Sequence, residues 1–99
     1  MARFDIFENE GGNGYLLDVQ TDLLSGLNTR VVVPLLPESS APSAAKRLNP
    51  VFSVEGQKLV MATQYMAAVP QQELRSGVGS LAERQDEITA ALDMLFLGF

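Results

Sequence analysis

Helical periodicity occurs once in this chain, in Leu81 to Phe99, and everything before it runs in short β-period stretches broken by glycine, proline and asparagine. Strands first and a single helix last restrict the chain to an α+β fold or a small, partly open barrel. No internal repeat offers a different route, and 99 residues are expected to form one domain, 1–99.

The helical stretch carries its own anomaly. Ser80-Leu81-Ala82-Glu83 has the form of a capping box, in which serine and glutamate satisfy each other's backbone N–H groups. At about 100° per residue, Leu81, Ile88, Leu92, Leu95 and marginally Phe96 share a stripe that should face a core. Glu83, Asp86, Glu87, Thr89 and Asp93 lie mostly on the other side. Met94 and Leu97 point about 100° to 160° away from the stripe's centre. The helix therefore begins amphipathic and ends apolar nearly all round, with Gly98 and then Phe99. One small domain cannot easily cover both sides of such a helix, so the ending reads as a patch for a partner. The alternative is deep docking within its own domain.

From the start of the chain, Arg3 to Glu8 reads as a strand, Asn9 to Gly14 as a glycine-rich turn and Tyr15 to Gln20 as the returning strand. In the latter, Tyr15, Leu17 and Val19 are expected inward, Asp18 and Gln20 outward. Thr21 to Thr29 is a loop with adjacent Leu23 and Leu24, which either tuck under the sheet or add to an apolar contact surface. Arg30 to Leu36 is apolar enough for burial on both faces, with Pro34 predicting a bulge or an edge. Pro37 to Ala45 is a loop by composition. Val51 to Glu55, Gly56, and Lys58 to Gln64 form a second hairpin. Tyr65 to Val69 is a short strand or 3-10 turn, Gln71 to Leu74 a weak pairing segment, and Arg75 to Gly79 the joint into the helix.

A net charge of −5 argues against non-specific nucleic-acid binding, which depends on Lys and Arg. Only 19% of residues are charged, which again leans toward an interface. The chain has no cysteine and no histidine. That removes disulfides, cysteine- or histidine-ligated zinc, thiol nucleophiles and imidazole bases. No signal segment opens the chain and no run approaches the ~20 residues of a membrane span, so a cytoplasmic protein without membrane contact is expected.

Asp18 and Asp22 are expected to be solvated carboxylates rather than an acid/base pair, which would require a raised pKa in an apolar pocket. Asp86, Glu87 and Asp93 form a solvated helix face without a metal-binding pattern. Gly11 to Gly14 lacks the lysine of a phosphate loop. Serines have no base beside them. No cofactor or metal is implied, and the chain is read as a binder rather than an enzyme. A ribonuclease working through Arg30 or Arg75 is the competing reading.

Four segments resemble the CcdB toxin family in order and spacing: Asp18-Val19-Gln20-Thr21-Asp22 before two leucines, Val33-Pro34-Leu35, Met66 to Pro70, and Leu95 to Phe99. The resemblance implies an SH3-like barrel of the kind shared with the MazF and Kid toxins: an antiparallel main sheet, a small second sheet and a C-terminal helix. It implies a homodimer that binds the DNA gyrase A subunit and traps gyrase with cleaved DNA. A CcdA-like antitoxin would neutralise it. The pair would repress their operon, with DNA contacted only through the antitoxin. By the resemblance, Leu23, Leu24, Asp93, Phe96, Leu97, Gly98 and Phe99 face gyrase, and Met94, Leu97 and Phe99 lie in the dimer interface.

Two departures bear on potency. Leu97 stands where the family typically has a tryptophan, whose stacking on an arginine is worth roughly 0.5–2 kcal/mol. Asp93 replaces an asparagine, and Phe99 puts an aromatic ring where an aliphatic is usual. The resemblance thus covers a weak toxin, a toxin for a diverged gyrase, a ribonuclease of the same fold, or a relative that only binds antitoxin.

Overall fold

The computed structural model describes residues 2–43 and 45–99. Seven antiparallel strands form one curled sheet: β1 (Asp5–Glu8), β2 (Tyr15–Asp18), β3 (Thr29–Pro37), β4 (Val51–Val54), β5 (Gln57–Met61), β6 (Ala67–Pro70) and β7 (Gly77–Ser80). The helix α1 (Gln85–Leu97) closes the fold. Strand order is β4-β5-β3-β2-β1-β7, with β6 branching from β3. The smaller sheet is continuous with the main one, because β3 serves both: Thr29 to Val32 pair with β6, and Leu35 to Pro37 pair with β5.

This branching explains a proline in a central strand. Pro34 lies where β3 exchanges one partner for the other, so its missing N–H falls in the gap between β6 and β5. Its carbonyl accepts from Ala62 N–H at 2.9 Å. Neither a bulge nor a sheet edge is needed, which corrects the expectation drawn from proline's missing donor.

The core lies between the sheet and α1. Phe4, Ile6, Leu17, Val33, Leu35, Phe52, Leu59 and Met61 meet Leu81, Ile88 and Ala91 there. Phe7, Val32 and Leu74 form a second cluster, flanked by Leu16 and Val69. Adjacent Val32 and Val33 thus belong to different clusters, as the continuous apolar run of β3 predicts.

Several boundaries move. β1 begins at Asp5 because Phe4 adopts φ 75°, an unusual conformation for a bulky residue. Phe4 is tied there on both sides: its N–H donates to Asp18 O, and its carbonyl accepts from Leu81 N–H. Residues 77–80, expected as a joint, form β7 against β1. Gln71–Glu73 is a 3-10 turn and pairs with no strand, whereas residues 63–70 contain both expected forms, the 3-10 turn Thr63–Tyr65 and β6. The loop from Pro37 contains a 3-10 turn at Glu38–Ser40, and its Ala44 lies outside the described residues.

The capping box does not form. Ser80 Oγ accepts from Ala82 N–H, a 3-10 turn occupies Ala82–Arg84, and no side chain caps α1. Ser80 and Leu81 are instead committed to β7 and to the bond with Phe4.

The β4–β5 hairpin turns on Glu55 and Gly56, with φ of 50° and 78°. Both central residues need positive φ in such a turn, where asparagine is favoured over glutamate. Glu55→Asn is expected to raise stability by about 0.5–1 kcal/mol, read as a higher denaturation midpoint at unchanged m-value.

Candidate functional site

The apolar stripe of α1 meets the core only in its first half. Ile88 and Ala91 are fully buried and Leu92 is half-buried. Ala91 was outside the expected stripe because an alanine carries little periodic signal. Leu95 is only marginally exposed, whereas Phe96, Leu97 and Phe99 are 67%, 60% and 73% exposed. The stripe therefore stops at Leu92, and the expectation that Leu95 and Phe96 face the core is corrected: the last turn overhangs it. Met94 is half-buried and Asp93 exposed.

Gly98 ends the helix in the left-handed conformation, φ 81°, and donates to the carbonyls of Asp93 and Met94. That cap fixes the direction in which Phe99 leaves the helix. Asp93 has no ion-pair partner among the described residues and sits near the negative end of the helix dipole. Nothing about its position helps the helix.

The second exposed apolar segment is the loop between β2 and β3. Residues 21–29 are all exposed, and Leu23 reaches 92%. A 3-10 turn, Asp22–Leu24, presents it, with Thr21 Oγ1 accepting from Leu23 N–H at 3.3 Å. Leu23 and Leu24 do not tuck under the sheet. The 3-10 turn of the loop and α1 are not principal packing neighbours within the monomer.

Beneath the loop lies a polar centre that contradicts the expected outward orientation of Asp18 and Gln20. Asp18 and Arg30 are 0% and 1% exposed and form an ion pair, with Nη2 and Nε of Arg30 at 2.6 and 2.9 Å from Asp18 Oδ2. Gln20 is also buried. Strand alternation does place Asp18 with Leu16 on the face away from Leu17, but that face is covered rather than solvated: Leu16 packs with Phe7, Val32 and Leu74. Burial pushes the Asp18 carboxyl up from its ordinary value; the bonds from Arg30 and from Gln20 N–H oppose that.

Arg30 is thereby unavailable to an external phosphate, which corrects its candidacy as a ribonuclease residue. Arg75 is exposed, with Nε donating to Gln72 O, beside an open cleft of about 460 Å³. Glu8, Glu10 and Glu73 also line that cleft, making it acidic. No group of three histidine, cysteine, aspartate or glutamate side chains able to hold a metal occurs among the described residues. No helix among them is long and apolar enough to cross a membrane.

The branched, curled antiparallel sheet carrying one terminal helix is a fold shared with a solved structure. That structure, described as an endoribonuclease in complex with its cognate antitoxin from Mycobacterial species, superposes with a TM-score of 0.77 at 16% identity, over 100% of this chain and 98% of that one. The family profile described as CcdB protein matches residues 3–98, and the chain belongs to the CcdB family. The endoribonuclease corrects the expectation that this chain is not an enzyme: the shared fold is that of an enzyme in that protein.

Proposed function

We propose that this CcdB-family toxin acts as a homodimer whose apolar tails engage the DNA gyrase A subunit and trap gyrase with its DNA cleaved. A CcdA-like antitoxin neutralises it and joins it in repressing their operon. The observation that carries this reading is the exposure of Phe96, Leu97 and Phe99 in the monomer. Fully burying a large apolar side chain is worth about 1.5–3 kcal/mol. Three such side chains, with Leu23 on a separate projection, provide the driving force for association that the monomer leaves unused. Leu24, Asp93 and Gly98 complete the proposed gyrase-facing set. Met94, half-buried already, is assigned with Leu97 and Phe99 to the contact between protomers.

Induced expression is expected to arrest growth, and the purified protein to stabilise cleaved DNA in a gyrase supercoiling assay. Absence of trapped cleavage at saturating protein contradicts the gyrase assignment.

The fold neighbour supports a second reading, endoribonuclease activity near Arg75 in the open cleft. Incubation with structured and single-stranded RNA tests it directly. Specific products lost in Arg75→Ala support cleavage, and intact RNA rejects it. The cleft's three glutamates make it a poor host for phosphate, so the gyrase reading takes precedence.

A further inference from the structure

A run of nine exposed residues, 21–29, has no buried apolar side chain of its own to hold its shape. Its ordering comes from polar contacts. Asp22 Oδ1 accepts from Arg3 N–H at 2.9 Å and lies 3.6 Å from Arg30 Nη2. The Gln20 side-chain amide donates to Leu24 O at 3.2 Å and to Thr29 O at 3.3 Å, clasping the turn and the loop's far end together. Gln20 Oε1 accepts from Val31 N–H, and Gln71 N–H donates to Asn28 O. Gln20 is itself fixed by the ion pair: its N–H donates to Asp18 Oδ1 at 3.1 Å, and its carbonyl faces Arg30 Nη2 at 3.5 Å.

We infer that Asp18, Gln20 and Arg30 are positioning residues that pre-shape the 21–29 loop so that Leu23 is presented ready for a protein partner. A buried ion pair is a poor way to gain stability, because desolvating both charges offsets much of their attraction. Its better-attested use is to specify one arrangement over others. Here the arrangement specified is that of an otherwise unanchored loop. Pre-shaping matters because a loop ordered before encounter does not lose that freedom on binding. The role of Leu23 as a contact rests on the proposed gyrase reading; the ordering of the loop does not.

Two variants separate these points. Asp18→Leu combined with Arg30→Met replaces the pair by apolar side chains, and Gln20→Met removes the clasp while leaving the pair intact. Amide–water exchange by NMR is expected to accelerate at least tenfold at Leu24, Ser25 and Leu27, with core amides such as Val33 and Leu59 unchanged. Association with the gyrase A subunit is expected to weaken at least tenfold in the same variants. Should the double variant fail to fold, Gln20→Met alone decides. Loop exchange that stays at the parent rate, or rises only in step with the core, overturns the inference. Full gyrase binding by Leu23→Asp would remove the partner reading and leave the exchange result to judge the positioning role alone.

Discussion

Asp18→Leu is expected to be among the most damaging single substitutions in the chain. It removes the buried carboxylate that pairs with Arg30 and leaves a guanidinium that is 1% exposed with only the longer 3.6 Å ion pair to solvent-exposed Asp22. Breaking one side of a buried pair costs roughly 3–5 kcal/mol, because the orphaned charge keeps its desolvation penalty. For a domain of this size that is a fall in Tm of roughly 15–30 °C. Adding Arg30→Met should restore most of the loss, since an apolar replacement of the whole pair is often neutral. Thermal denaturation of the parent, the two single variants and the double variant checks the cycle. A single variant as stable as the parent would mean that the pair contributes no coupling.

The opposite pattern is expected at the tail. Phe96→Ala should leave stability within about 0.5 kcal/mol of the parent, because that side chain is mostly exposed, belongs to no core cluster and is not assigned to the contact between protomers, whereas Leu97→Lys should also lower Tm by weakening that contact. The same changes are expected to abolish growth arrest. Leu97→Lys places a strongly hydrated ammonium where an apolar contact is proposed, at a cost to association of about 2 kcal/mol or more. Leu97→Trp is expected to strengthen binding, by roughly 0.5–2 kcal/mol if its ring stacks on an arginine. Toxicity assays paired with melting curves read both effects.

What the sequence disclosed was governed by how local the signal was. The glycine-rich turn before Gly14 and the Glu55-Gly56 hairpin are specified by neighbouring residues, and both appear where expected. The exposure of Leu97 was legible because it cannot share a face with Ile88, whereas Phe96, expected at the margin of the core stripe, is exposed and Met94, expected away from it, is half-buried. Long-range pairings were not. Nothing near Gly77 announces that it will join β1, because two glycines and a serine carry no alternating pattern. Pro34 misleads unless one knows that β3 changes partners there. Asp18 and Arg30 are twelve residues apart, and an alternating strand normally sends its polar residues to water. Only the second apolar cluster, assembled from distant elements, reverses that expectation. Fold topology also reaches beyond local chemistry: the likeness to an endoribonuclease rests on the course of the whole chain, which no short motif in the sequence announces.

The central claim is that the side chains at the end of α1 are buried by another protein. Titration calorimetry of the purified chain into the gyrase A subunit, repeated at several temperatures, tests it most directly, with a second chain lacking Gly98 and Phe99 run alongside. Apolar burial on binding gives a negative heat-capacity change. The account predicts saturable binding by the parent with that signature, and loss of binding by the shortened chain while it remains folded, its Tm lowered only by the lost Phe99 contact between protomers. Equal affinity and equal heat-capacity change for both chains would contradict it.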